Sequence, residues 1–550
     1  EKIDDATKEN LPFYKNASIF AEVTITERNF SNSNSFSEDP KQMSLSYTAK
    51  NLQDSDINTE NYTNTANTRS VWSTKGYIRT KTFTFSVDAN YTLGIDYTDL
   101  AGNSVKYDEH FFTVDTKAPT GEIEVSSPQY EKKLQGKNVI DIIKNFFSFF
   151  TDKKTTISFN GNDETSQFEV KYYIDKLPVF DKNGEFKPYE YKDIKKWNLV
   201  KSECSSWNMK EYLETEDTRA VPYLYLKDKA GNETYMTSEG IIYDRKEIGN
   251  PVIDITTKET SVDVNSKIPI YNNAKVDFTI AVEDPIENES YSGISEVTYQ
   301  IIRYGNDEFN EKQDKETKTE DGKGVIVQQG DFKNDLNINN HSKIIQKLER
   351  TISIDSRYCN SNYVEIVVKA KDNVGNKTEK RQVIAIDTTP PEITVSYDNN
   401  NVANGKYFKA DRIMTVEYKE RNFDESKLTF DVTTNGKSQT VSLSQLKNGE
   451  VNGIKVISGP EDSEKTKKFE TYTDNRTNTY KILFNAGGNN GDMDYYIVPH
   501  IIDKANNKQN KETQYKAGTE AKTEFTIDKK APVISMAYSA EGETINPGGN

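Results

Sequence analysis

Cysteine, histidine and tryptophan are scarce in this 550-residue chain, which holds two, three and three of them respectively. Two cysteines cannot staple a fold of this length. Cys204 and Cys359 fall in different repeats of the pattern described below, so two unpaired thiols are expected. The histidines exclude most metallo-hydrolase and triad chemistry. His110 and His500 lie in or beside predicted strands, His341 lies in a polar loop, and no two stand at metal-ligand spacing. No Gly-x-Ser-x-Gly elbow and no phosphate-cradling glycine loop occurs. Apolar runs are short, and none approaches the length of a membrane span. The start, Glu1-Lys-Ile-Asp-Asp5, has no signal-peptide character, and no anchor is visible near Asn550. The chain therefore reads as a piece cut from a longer protein, a monomer without direct membrane insertion. Positive charge is in deficit by 16, which argues against a nucleic-acid partner and suits cation binding where acids converge.

Aromatics are plentiful instead, with 32 Tyr and 25 Phe to build cores. The length exceeds what one sandwich core holds and predicts about four domains of roughly 130–140 residues. Self-similarity supports that division. An alternating strand, an Asp-x-x-Gly-Asn turn, a returning strand and a second Asp ahead of a proline recur four times. The first acids are Asp99, Asp228, Asp372 and Asp503, the last in the variant Asp-Lys-Ala-Asn-Asn507. The second acids are Asp115, Asp244, Asp387 and Asp528, spaced 129, 143 and 141 residues apart. Before the first acid, side chains alternate as in a half-buried strand (Tyr91, Leu93, Ile95, Tyr97). Gly-Asn tolerates positive φ and reverses the chain, and the later proline fixes an extended, stiff start to the next unit.

Domain openings repeat too. Residues 14–30 (YKNASIFAEVTITERNF) align without a gap on 407–423 (YFKADRIMTVEYKERNF). These features predict an all-β fold: four tandem immunoglobulin-like β-sandwich domains in an elongated array, at 1–116, 117–245, 246–388 and 389–529. Residues 530–550 read as the start of a following repeat or a tail. One short helix is expected in the second domain near 139–150, where VIDIIKNFFSFF has apolar residues at helical spacing. Polar stretches at 306–323 and 485–494 read as surface loops.

The Asp-x-Ala-Gly-Asn turn, followed by Thr-Val-Asp115-Thr-Lys-Ala-Pro119 or Ala-Ile-Asp387-Thr-Thr-Pro-Pro391, resembles the tandem bacterial immunoglobulin-like domains of large surface proteins and adhesins. The resemblance covers nearly the whole chain. It implies an extracellular protein, attached to the bacterial cell wall or secreted, whose domains serve as stalk, spacer or binding modules. Sandwich topology then places each first acid at the pole where its domain meets the preceding one. Asp115 should approach Asp228, Asp244 should approach Asp372, and Asp387 should approach Asp503. Asp163, Asp284 and Glu420, each ending an early strand, should reach the same poles.

Two readings of these acids stand side by side. They cap tight turns by accepting amide protons, or they converge on interdomain Ca2+, a hard cation that takes six to eight oxygens. No loop holds a complete ligand set of its own. For function, a non-catalytic adhesin segment that binds a host protein or glycan stands first. A purely structural stalk or spacer stands second, and an enzyme last. Trp72, in a polar context, is either a sugar-stacking residue or a cap on the core.

Overall fold

In a computed structural model, the chain is described over residues 12–15, 19–30, 43–58, 73–128, 134–135, 137–138, 147–176, 189–214, 216–288, 290–305, 310–313, 316–336, 344–460, 476–516 and 521–536. The described part is built of β-strands, with two short α-helices at Lys333–Leu336 and Leu443–Asn448. Paired sheets succeed one another along the sequence. The largest apolar clusters draw on separate stretches: Tyr14 to Val114, Ile123 to Tyr243, Ile248 to Ile386, and Ile393 to Ile527.

The fourth unit shows how period-two sequence becomes a sandwich. Its second strand, Arg412–Lys419, buries Arg412, Met414, Val416 and Tyr418 and turns the residues between them outward. An opening strand, Glu392–Tyr397, pairs antiparallel on one edge, with Ile393 opposite Tyr418 and Val395 opposite Val416. Thr477–Phe484 covers the other edge. The facing sheet runs Tyr407–Phe408, Glu524–Asp528, Asp492–His500, Thr429–Thr434, Lys437–Ser442. Arg412, fully buried, lies 3.7 Å from the Tyr397 ring centroid and 4.2 Å from that of Phe408. Its guanidinium donates to the Asn399 and Ala521 carbonyls at 2.9 and 2.7 Å, which offsets the cost of burying the charge.

The second and third units share this plan, with opening strands Thr120–Ser126 and Val252–Ile255 on second strands Thr155–Asn162 and Lys275–Glu283. In each unit a short strand pairs parallel with the closing strand: Phe13–Tyr14, Phe147–Thr151, Pro269–Tyr271 and Tyr407–Phe408.

That pairing corrects the helix expected near 139–150. Residues 139–146 lie outside the described residues, but Phe147–Thr151 is a strand, aligned on Gly240–Tyr243. A brief apolar aromatic run has no intrinsic preference strong enough to resist a waiting sheet edge, and its spacing fits either periodicity. The loops at 306–323 and 485–494 contain the short strand Thr317–Lys318 and the start of Asp492–His500. Trp72 and His341 lie outside the described residues. Cys204 and Cys359 are free thiols buried in different clusters, and burial raises the pKa of each, Cys359 to about 12.

Candidate metal centre at the joints

Each junction between successive units collects three acids. They are Asp115, Asp163 and Asp228 at joint one, Asp244, Asp284 and Asp372 at joint two, and Asp387, Glu420 and Asp503 at joint three. In every set the carboxylate oxygens offered lie within 4.8 Å of one another. All nine residues are at most 6% exposed. One acid ends the closing segment of the preceding unit. The other two follow the second strand and the Asp-x-x-Gly-Asn strand of the next unit.

The turn acid is held the same way each time. Asp228 Oδ1 accepts the Asn232 amide at 2.8 Å and Oδ2 accepts Asn232 Nδ2 at 2.8 Å. Asp372 repeats this with Asn376, and Asp503 with Asn507, at 2.8–2.9 Å. The left-handed position is glycine in the first three turns, with φ of 90°, 88° and 105°. Asn506 fills it at φ 65° in the fourth, so the departure from Gly leaves the turn intact. The same asparagines also reach across the junction. Asn232 Nδ2 donates to the Asp115 carbonyl at 2.9 Å, Asn376 Nδ2 to that of Lys246 at 3.0 Å, and Asn507 Nδ2 to that of Asp387 at 2.9 Å. Sequence reasoning missed this clamp, although the invariant place of Asn in the turn was the available signal.

The remaining acids also hold turn protons. Asp163 Oδ1 accepts the Thr165 and Ser166 amides at 2.8 and 3.0 Å, and Ser166 Oγ donates to Asp115 Oδ2 at 2.5 Å. At joint two, Asp244 Oδ2 accepts the Ser292 amide and Asp284 Oδ2 the Gly293 amide, both at 2.6 Å. The capping reading is thus part of the geometry.

It does not account for the electrostatics. Asp99, the same turn acid in the first unit, stands away from any such triad. There its Asn103 side-chain and backbone hydrogen bonds hold the carboxyl below its ordinary pKa. At the joints the sign reverses. Burial, with neighbouring acids, pushes Asp115, Asp284 and Asp503 up to about 7. Asp163, Asp228, Asp244 and Asp372 rise as well, led by burial, and Glu420 is driven far up by burial and the charges of Asp387 and Asp503. Two like charges at this separation repel by about 3 kcal/mol at the effective dielectric of a protein site. Turn capping alone lowers a carboxyl; these centres raise it.

Two observations bear on whether a cation fits. Asp284 Oδ1 is buried and accepts no hydrogen bond, a full lone-pair set left over at joint two. The donors are all hard oxygens, the chemistry that Ca2+ selects. Joint three differs, because the chain supplies its own cation there. The guanidinium of Arg421, 2% exposed, lies 3.2 Å from Asp387 Oδ1 and donates to Asn360 Oδ1 at 2.5 Å and the Ile386 carbonyl at 3.1 Å. The residues at its place after the second-strand acid are Glu164 at joint one and Pro285 at joint two. Arg421 lies in the Glu-Arg-Asn-Phe end of the segment 407–423 that aligns on 14–30, an alignment that did not reveal its contact with Asp387.

No helix among the described residues is long and apolar enough to cross a membrane. No protein-family model matches this chain, and no curated protein does. Among solved structures it is similar to a tetra-tandem repeat from the extending region of a large adhesion protein, at 12% identity and a TM-score of 0.31, over 92% of this chain and 95% of that one. It is also similar to a segment of a bacterial ice-binding adhesin at 10% identity and a TM-score of 0.22, over 68% and 89%. Fibronectin(III)-like modules of Clostridium thermocellum CbhA align at 12% identity and a TM-score of 0.17, over 46% and 94%.

Proposed function

We propose that this chain is a non-catalytic extender segment of a bacterial surface adhesin. In this reading four immunoglobulin-like domains, at 1–116, 117–245, 246–388 and 389–529, hold a binding region away from the cell. The observation that carries it is the threefold recurrence of one buried junction, built from one acid of the preceding unit and two of the next. A chain selected for independent binding modules has no need of recurring acidic joints, whereas a chain selected for reach does. Calcium is the ion for which joints one and two are suited: Asp115, Asp163 and Asp228 at one, Asp244, Asp284 and Asp372 at the other. At joint three, where Asp387, Glu420 and Asp503 converge, Asp387 already pairs with Arg421. Small apolar contacts add to the stiffness, with Val374 packing among Ile194, Val221, Tyr223 and Ile242, and Ala505 against Ile270 and Ala385.

The test is small-angle X-ray scattering of the whole chain with calcium and with chelator. The expected result is a longer, narrower distance distribution with calcium. Identical curves would remove the cation from the proposal, and a compact particle in both would remove the extender role. Binding of the intact chain to host extracellular proteins or glycans separates extension from adhesion. Saturable binding that survives loss of extension would make the array itself adhesive.

A further inference from the structure

The larger sheet of the second unit carries a third layer. Its middle strand, Thr218–Asp228, is buried on both faces. Ala220, Leu224 and Leu226 enter the sandwich core, while Val221 and Tyr223 belong to a separate cluster on the opposite face. An antiparallel sheet commonly turns that face to water. Here the segment 189–197 lies across it. Tyr191 stacks on Tyr225 with ring centroids 4.0 Å apart, the Tyr189 amide donates to the Tyr223 hydroxyl at 3.1 Å, and the Tyr235 hydroxyl donates to the Tyr189 carbonyl at 2.6 Å. Ile194 completes the layer, buried in the same cluster as Val221 and Tyr223.

The layer ends at joint two. Val374, from the turn Asp372–Asn376 of the third unit, is buried in that cluster together with Ile242 of the second unit's closing segment. Ile242 stands two residues before the closing acid Asp244, and Val374 two residues after the turn acid Asp372. At joint three the same two places hold Ala385 and Ala505, fully buried and clustered with Ile270. Large is matched with large at joint two, and small with small at joint three. The clamp asparagines pin both turns to the chain leaving the preceding unit, Asn376 at 3.0 Å and Asn507 at 2.9 Å. With the backbones so held, a change of side-chain size is met by a void or a clash.

We propose that these two places specify which unit docks on which. The residue two before the closing acid and the residue two after the turn acid form a size-matched pair, and segment 189–197 builds the wide socket that the second unit offers. The acids cannot make this choice, because all three joints present the same kind of triad. A unit with alanine in its turn leaves the socket of Ile194, Val221, Tyr223 and Ile242 partly empty. A unit with valine there is refused by Ala385 and Ile270. Both penalties act against wrong neighbours, a hazard for chains built of similar units. The partner selected is the unit that follows in the same chain. The pairing rests on apolar contact and stands whether or not a joint holds a cation.

Hydrogen exchange of the intact chain, followed by mass spectrometry, tests this. The Ser292 amide crosses joint two to Asp244 Oδ2 and reports on that joint. Val374→Ala should speed its exchange about tenfold, the worth of two buried methyl groups, while the core strand Lys275–Glu283 stays protected. Ile194→Ala should do the same from within the second unit, with the strand Thr155–Asn162 unchanged. Ala505→Val should speed exchange in the turn 503–507 at joint three. The volume-conserving exchange of Ile242→Val with Val374→Ile should restore the wild-type rate that each single change alters. Unaltered exchange in Val374→Ala, Ile194→Ala or Ala505→Val overturns the proposal. So does a double variant no better than its singles. Loss of protection in a core strand together with the joint overturns it too, since the residue would then serve the fold of its own unit.

Discussion

Stripping divalent cations from the chain at neutral pH is expected to destabilise joints one and two, and lowering the pH is expected to restore them. Asp284 shows the size of the effect. Folded, its pKa is pushed up to about 7 by burial and by the charge of Asp244; unfolded, an aspartate titrates near 3.9. A raised folded value means that the stabilising contribution is complete below about pH 4 and is lost as pH rises through 7. Between about pH 5 and 7 the unfolded acid is ionised throughout while the folded one sheds its proton. At about 1.4 kcal/mol per pKa unit, this removes about 2 kcal/mol. Asp115 carries the same burden at joint one. A cation bound at a hundred times its Kd returns about 2.7 kcal/mol per site, enough to cancel the loss from one such acid. Scanning calorimetry of the whole chain, read transition by transition because several units unfold, should show in chelator a melting temperature that falls from about pH 5 to 7. In calcium the fall should be flattened. A chelator-insensitive profile that is also flat in pH would refute the reasoning, because it would mean that the acids stay ionised and unstrained without help.

Asp284→Asn removes one charge while keeping the shape; it should stabilise the cation-free joint two by about 2 kcal/mol at pH 7 and abolish its calcium response, leaving that of joint one, as calorimetry can resolve. Arg421→Met leaves the acids of joint three uncompensated; the transition involving the fourth unit should lose about 3–5 kcal/mol in chelator and become responsive to calcium, whereas an unchanged transition would show that Arg421 does not neutralise the site. Asn232→Ala deletes the clamp on both Asp228 and the Asp115 carbonyl; about 1–3 kcal/mol should go from joint one, with a broader distance distribution in scattering. Arg412→Ala leaves the Asn399 and Ala521 carbonyls unmet beneath three aromatic rings and should cost the fourth unit at least 3 kcal/mol by denaturant melt.

The strand framework was legible because period-two patterning is a local property, fixed by residues such as Tyr91 and Leu93 within one strand. The convergence of the nine acids was legible for a different reason: sandwich topology assigns each strand end to a pole, so the position of an acid in the repeat already selects its neighbours. What escaped were features decided by contact across the junction. Ser166 and Ser292 are ordinary loop serines until an acid from the preceding unit reaches them. Phe147–Phe150 read as helix because its partner, Gly240–Tyr243, lies ninety residues on and contributes nothing to local periodicity.

The joints also show why a repeat can keep its fold and vary its chemistry. All three share a closing acid, a capped second-strand acid and an Asn-locked turn acid. The residue after the second-strand acid differs in charge: Glu164, Pro285 or Arg421. Arginine there places a positive charge of the chain itself against Asp387. Glutamate or proline brings none, and in the proposed reading closure there would depend on a hard cation. On the calcium proposal, a single position would sort these joints into ion-gated and self-closed. Exchanging Pro285 for arginine should move joint two from the first class to the second, and a persisting calcium response in that variant would show that the sorting residue lies elsewhere.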